Sequence, residues 1–216
     1  MKNFTILAVS ALACLFTSGC VVGRRTVALS VPTAASVGTA SKGSVVIKAV
    51  SDARHFENNP SSPSTPSIDG DVNSITAEQR KIFIGRQRNG FGRAMGDIAM
   101  PAGQNVENRT FDLIKEGFSR RGYTVSAQGE SKDAVEVSID EFWAWFTPGF
   151  ATISFESRIT CKLTIHRGDQ VQNLTVTGHG LNVGQIASDA NWALAYTRGF
   201  DDFLKNLDVE LGKTGF

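Results

Sequence analysis

Apolar and polar positions change period repeatedly along the chain. Val45, Val46, Ile47, Ala49 and Val50 make a nearly continuous apolar run, the pattern of a strand covered on both faces. From Val106 to Arg121 the spacing becomes helical: Phe111, Ile114 and Phe118 recur at three and four, with Val106, Thr110, Leu113 and Gly117 on adjoining rows. Arg120 and Arg121 suit the negative end of that helix's dipole, and Gly122 suits the position just past it. A strand then opens at Tyr123. Val135, Val137 and Ile139 alternate with Glu136, Ser138 and Asp140, which predicts another. The alternation is clearest from Thr152 to His166, and Val171 to His179 returns antiparallel after a turn at His166–Gln170. Ser188 caps a last helix whose apolar face is Trp192, Tyr196, Gly199, Phe203, Leu207 and Leu211.

Two stretches break these periods. Residues 57–76 hold prolines at 60, 63 and 66 among serines and read as an exposed, mobile loop. Residues 80–100 place two short apolar pieces around Asn89-Gly90, a type I′ turn signal, and predict a projecting hairpin. A short strand is also expected over Thr26–Val31. The element order predicts an α+β two-layer sandwich: a mostly antiparallel sheet with one βαβ unit and two helices packed on one face. In that unit the strand Val45–Ala53 and the strand opening at Tyr123 flank the first helix and lie parallel.

The first twenty residues have a different character. Lys2, an apolar run from Ile6 to Phe16, and the small residues Thr17, Ser18 and Gly19 lead to Cys20. That is the layout of a secretory signal, and the run is too short to span a membrane. Ending in Gly-Cys, it resembles the lipobox of bacterial lipoproteins, in which the cysteine thiol is diacylated and becomes the N-terminus. Thr17 stands where that motif usually has Leu. The resemblance divides the chain into a signal peptide (1–19), a lipidated Cys20 with a tether (20–42) and one periplasmic domain (43–216). Val21 follows the cysteine rather than Asp, which by the same resemblance favours the outer membrane. Acyl chains add roughly 0.8 kcal/mol per buried methylene, and several together anchor stably.

Composition narrows the partners. The 216 residues carry 22 basic and 21 acidic side chains, net +1, and 41% are hydrophobic. Lys2 leaves with the leader, so the remaining chain is balanced. Nucleic acid binding is thereby excluded as a global property. Arg80, Lys81, Arg86, Arg88 and Arg93 nevertheless form a local basic cluster facing only Glu78 and Asp97. Its bland explanation is a solvated hairpin. Its functional one is Arg86, Arg88 and Arg93 contacting an anionic lipid or glycan, lipopolysaccharide or peptidoglycan.

Further features point to a family. The lipobox, the strand ending in Asp52-Ala53-Arg54, the segment Ile84 to Gly92, the helix closing in Arg120-Arg121-Gly122-Tyr123 and the terminal helix with Trp192 together resemble the YajG-type envelope lipoproteins. The element order is similar to the TolB N-terminal domain and the LpoB-type lipoproteins at the level of fold. The resemblance implies a small periplasmic domain tethered to the outer membrane and supplies no catalytic residues.

Candidate chemistry is sparse. Gly90, Gly92 and Gly96 approach a dinucleotide fingerprint, but Pro101 cuts off the helix it requires. His55, His166 and His179 lack zinc spacing. Asp140-Glu141 is a carboxylate pair with no nucleophile nearby, and Cys161 lies on the apolar face of its strand. No enzyme, metal or cofactor is expected. Phe142, Trp143, Trp145, Phe146 and Phe150 crowd around Pro148-Gly149. Trp143 and Trp145, in phase with Ile139, are expected in the core. Phe142, Phe146 and Phe150 are the expected interface residues for an envelope protein or a second copy.

Overall fold

The structure, a computed structural model, describes residues 23–34 and 41–216. Cys20 and the leader lie outside the described residues. Among the described residues, eight strands form one mixed sheet: β1 (Arg25–Thr26), β2 (Gly43–Asp52), β3 (Phe83–Arg88), β4 (Ala94–Ala99), β5 (Tyr123–Ser126), β6 (Asp133–Pro148), β7 (Ile153–Arg167) and β8 (Gln170–Gly184). The α-helices among the described residues are a single turn, α1 (Ala77–Arg80), and two long ones, α2 (Val106–Arg120) and α3 (Asp189–Lys213).

The sheet is open and turns on β6. One edge of β6 pairs antiparallel with β7 along its whole length, and β7 pairs with β8 in unbroken register. The other edge is shared end to end. Val46 to Asp52 of β2 lie parallel to Ala134 to Ile139, and Gly85 and Arg86 of β3 lie parallel to Ala144 and Trp145. Beyond β2 comes β5, also parallel, so the βαβ unit around α2 forms as expected. Beyond β3 come β4, antiparallel, and β1, parallel to β4. The architecture is the expected α+β sandwich.

Capping follows the sequence signals. Asn105 and Ser188 accept the Asn108 and Asn191 amides at the starts of α2 and α3, which satisfies donors the helices cannot. α2 packs on β2, β5 and β6, α3 on β6, β7 and β8, and the two helices touch. Their apolar faces close one core over Val135, Val137, Ile139, Phe142, Phe155 and Ile159.

Three expectations are corrected. The loop at 57–76 is not a mobile excursion: with Phe56 it straps the opposite face of the sheet, where Phe56, Ile68 and Val72 bury Phe83, Ala99, Trp143 and Trp145. Part of the tether expected over 20–42 belongs to the domain: Val27 and Leu29 are buried in the main core, and the Val27 amide donates to the Ala99 carbonyl at 2.8 Å. The hairpin does form, but its turn runs Asn89–Arg93 with positive φ at Gly92 (81°) rather than a two-residue Asn-Gly turn.

Candidate interaction surfaces

A single bulge decides where the aromatic residues point. The β6–β7 register shifts between Ile139 and Glu141, leaving Asp140 as an extra residue in β6. One inserted residue reverses the faces of everything after it. Phe142, Ala144 and Phe146 therefore continue the inward face of Val135, Val137 and Ile139. Trp143 and Trp145 turn to the strap side. Phe142 stacks on Tyr196 (centroids 5.2 Å apart), and Phe146 meets Phe155 and Trp192. Both phenylalanines are buried and cannot serve as interface residues. Phe150, at the β6–β7 turn, is fully exposed.

The three arginines do line one shallow cleft of about 540 Å³, together with Asp69 and Phe91. Two of them are committed to the fold. Arg86 is 4% exposed, donates to the Ile68 carbonyl and Asp69, and lies 3.5 Å from the buried Asp97. Arg88 donates to the Pro60 carbonyl at 3.0 Å and to Ser67 Oγ at 3.2 Å. Burial and the neighbouring Arg86 both push the Arg88 guanidinium below its usual range. They pin the strap to the hairpin. Arg93 is exposed and has no carboxylate partner among the described residues.

The remaining candidates separate. Asp140 pairs with Lys162 at 2.6 Å and Glu141 with Arg158 at 3.4 Å and Thr160 at 2.6 Å, so the two carboxylates do not act as one acid–base pair. Burial pushes the Cys161 thiol far up, which removes the reactive thiolate. Among the described residues no group of His, Cys, Asp and Glu is placed to hold a metal, and no helix is long and apolar enough to cross a membrane.

A surface the sequence did not single out is the outer edge of β8. β8 pairs with β7 alone among the described strands, and Val171, Leu181 and Val183 are exposed on it. One row of α3 covers the middle of this edge: Arg198 donates to the Leu181 carbonyl, Asp202 accepts the His179 amide at 3.0 Å, and Asn206 donates to the Thr177 carbonyl at 2.8 Å. Backbone groups alternate between the two edges of a strand. Odd-numbered residues of β8 therefore face outward, and Val171, Asn173 and Thr175 present their backbone groups beyond the reach of that row. The helical spacing of 198, 202 and 206 was readable in the sequence. Its role was not, because it needs the strand alongside.

No family model and no curated protein matches the chain. Among solved structures, the crystal structure of an uncharacterized protein is similar over 88% of this chain and 97% of its own, with a TM-score of 0.43 and 11% identity. The crystal structure of a Xanthomonas campestris protein of the family DUF330 is similar over 88% and 94%, with a TM-score of 0.45 and 11% identity. Likeness at this level carries no functional argument, and neither neighbour is described as a YajG-type lipoprotein.

Proposed function

We propose that the protein is a non-enzymatic outer-membrane lipoprotein of the YajG type, acylated at Cys20, whose periplasmic domain binds another envelope protein along the edge of β8. The leader and lipobox pattern support the location. The observation that carries the binding mode is the half-covered edge: α3 side chains satisfy Thr177, His179 and Leu181, while the outward backbone groups of Val171, Asn173 and Thr175 have no partner among the described residues and Val171 is exposed. Natural proteins cover or charge a long open edge, since it templates pairing with another chain. An edge covered in one half and open in the other is suited to accept a partner's strand.

A photo-cross-linker at Val171, exposed on the same open half of β8, is expected to capture a discrete protein neighbour in intact cells. Thr175→Pro removes an outward amide without touching the β7 ladder, and is expected to abolish that capture while the melting temperature holds. Capture that survives Thr175→Pro overturns the binding mode. Palmitate labelling that persists in Cys20→Ala overturns the anchor. A second reading, an anionic lipid or glycan such as lipopolysaccharide or peptidoglycan held by the hairpin, retains Arg93 as its one uncommitted cation among the three arginines. A salt-sensitive pull-down unchanged by Arg93→Glu sinks it.

A further inference from the structure

Several segments of the chain converge on one end of the sheet. β3 and β6 run parallel in adjacent positions, so the turns that follow them project from the same end. β7 reverses β6 and β8 reverses β7, so β8 also finishes there. Each of these ends carries a large apolar side chain in water: Phe91 (99% exposed) after β3, Phe150 (109%) after β6 and Ile186 (69%) after β8. Scattered exposed apolar residues need no explanation, but three on successive tips of one end form a patch that does. Arg93 stands beside Phe91 on the same turn.

The N-terminal segment leaves the domain at this end as well. β4 starts here, β1 runs parallel to it, and the Gly23 amide donates to the Met95 carbonyl at 3.0 Å. Arg25 ties that segment to the tip after β8, pairing with Asp189 at 3.1 Å and donating to the Ala187 carbonyl. Cys20 lies three residues before Gly23. That is at most about 11 Å of extended chain.

We infer that this end is a membrane-docking face, resting on the bilayer that holds the acyl chains. Phe91, Phe150 and Ile186 enter the boundary between headgroups and acyl chains, and Arg93 meets lipid phosphates. Aromatic tips with an adjacent cation are the composition of interfacial anchors. A tether this short leaves the domain no room to stand off from the surface. The inference rests on acylation of Cys20, and its test separates the two claims.

The full acylated chain is placed in vesicles of phosphatidylethanolamine and phosphatidylglycerol with brominated acyl chains. An environment-sensitive dye is attached at Phe91→Cys, Phe150→Cys or, as the control at the opposite end of the sheet, Asp169→Cys. The buried Cys161 does not compete for the label. Blue-shifted, quenched emission at 91 and 150 with none at 169 is the expected result. Acylated protein with unquenched probes at 91 and 150 overturns docking and leaves the anchor standing. Probes shielded in cells but unquenched in pure vesicles also overturn it, and assign the tips to a protein.

Should the chain take up no acyl label, the anchor falls, and docking is judged on the unacylated chain alone. Its binding to phosphatidylglycerol vesicles is expected to drop about tenfold for each of Phe91→Asp and Phe150→Asp. No binding, or binding indifferent to both, overturns docking too.

Discussion

Arg54 grips Asp52 through two parallel hydrogen bonds, Nε to Oδ1 and Nη2 to Oδ2, both 2.8 Å. The same guanidinium donates to the carbonyls of Phe83 at 2.7 Å, Phe142 at 2.9 Å and Arg80 at 3.0 Å. Its position explains the fan. β2 leaves the β6 edge at Ile139 and β3 joins it at Ala144, so the Phe142 carbonyl falls in the gap between them. A buried carbonyl without a partner is costly, and Arg54 supplies the donor that no strand can. Arg54→Met strips Asp52 of its ion pair, leaving it only the residue-54 backbone amide at 3.2 Å, and takes the guanidinium donor from three carbonyls in a dry joint. It is expected to destabilise the domain by about 3–5 kcal/mol in urea titration. Arg54→Lys restores the charge but not the fork, and should recover less than half of that loss.

Gly180 brings α3 directly against the sheet. A Cβ at that position would lie 2.0 Å from the Ala195 carbonyl oxygen and 2.5 Å from the Gly199 amide. Neither backbone group can move without lifting the helix. Gly180→Ala should therefore lower stability by about 1–3 kcal/mol or more, and thermal melts followed by circular dichroism would show it. A melting temperature equal to wild type would mean that the helix is not seated as described.

The strap depends on Trp143, which meets Phe56 edge-on (centroids 5.9 Å apart) and donates to the Pro63 carbonyl at 3.2 Å. Trp143→Ala is expected to cost about 3–5 kcal/mol. Because strap contacts are lost selectively, limited proteolysis should nick the variant first between Ser61 and Ser67. Cleavage there in wild type at an equal rate contradicts the packing.

Asp97 gives a pH signature. Burial raises its carboxyl above the ordinary range, and the Asp69 amide and the more distant Arg86 offset only part of that cost. The folded state thus takes up the proton before the unfolded state does. Stability attributable to Asp97 must rise as pH falls from neutrality through its folded pKa, and level off below its unfolded value of about 3.9. Relative to Asp97→Asn, the wild type should gain with a slope no steeper than about 1.4 kcal/mol per pH unit. A gain in the opposite direction between pH 7 and 4 would mean that the ion pair outweighs the burial.

The helices were legible because their signals are local: period, cap and terminating glycine all lie within the segment. The faces of β6 were not. Alternation carried Ile139's inward phase on to Trp143 and Trp145, and nothing in Ile139–Glu141 announces that Asp140 is an extra residue. The strap was hidden by its own composition. Serines and prolines dominate it, while the apolar residues that hold it down, Phe56, Ile68 and Val72, follow neither a helical nor a strand period and find their partners, Phe83, Ala99, Trp143 and Trp145, only across the sheet. Arg86 and Arg88 looked like a charged surface for the same reason, since their partners Ile68 and Pro60 belong to a loop read as detached.

The unbroken register of β7 and β8 sets a distance. Fifteen residues of β8 lie in line, so its open half, Val171 to Thr175, stands about 30–43 Å along the strand from the end bearing the aromatic tips. On the proposed orientation the sheet is a post of fixed height planted on its membrane. A partner strand would have to reach out to that height before it could pair, and a short segment held close to the same bilayer could not.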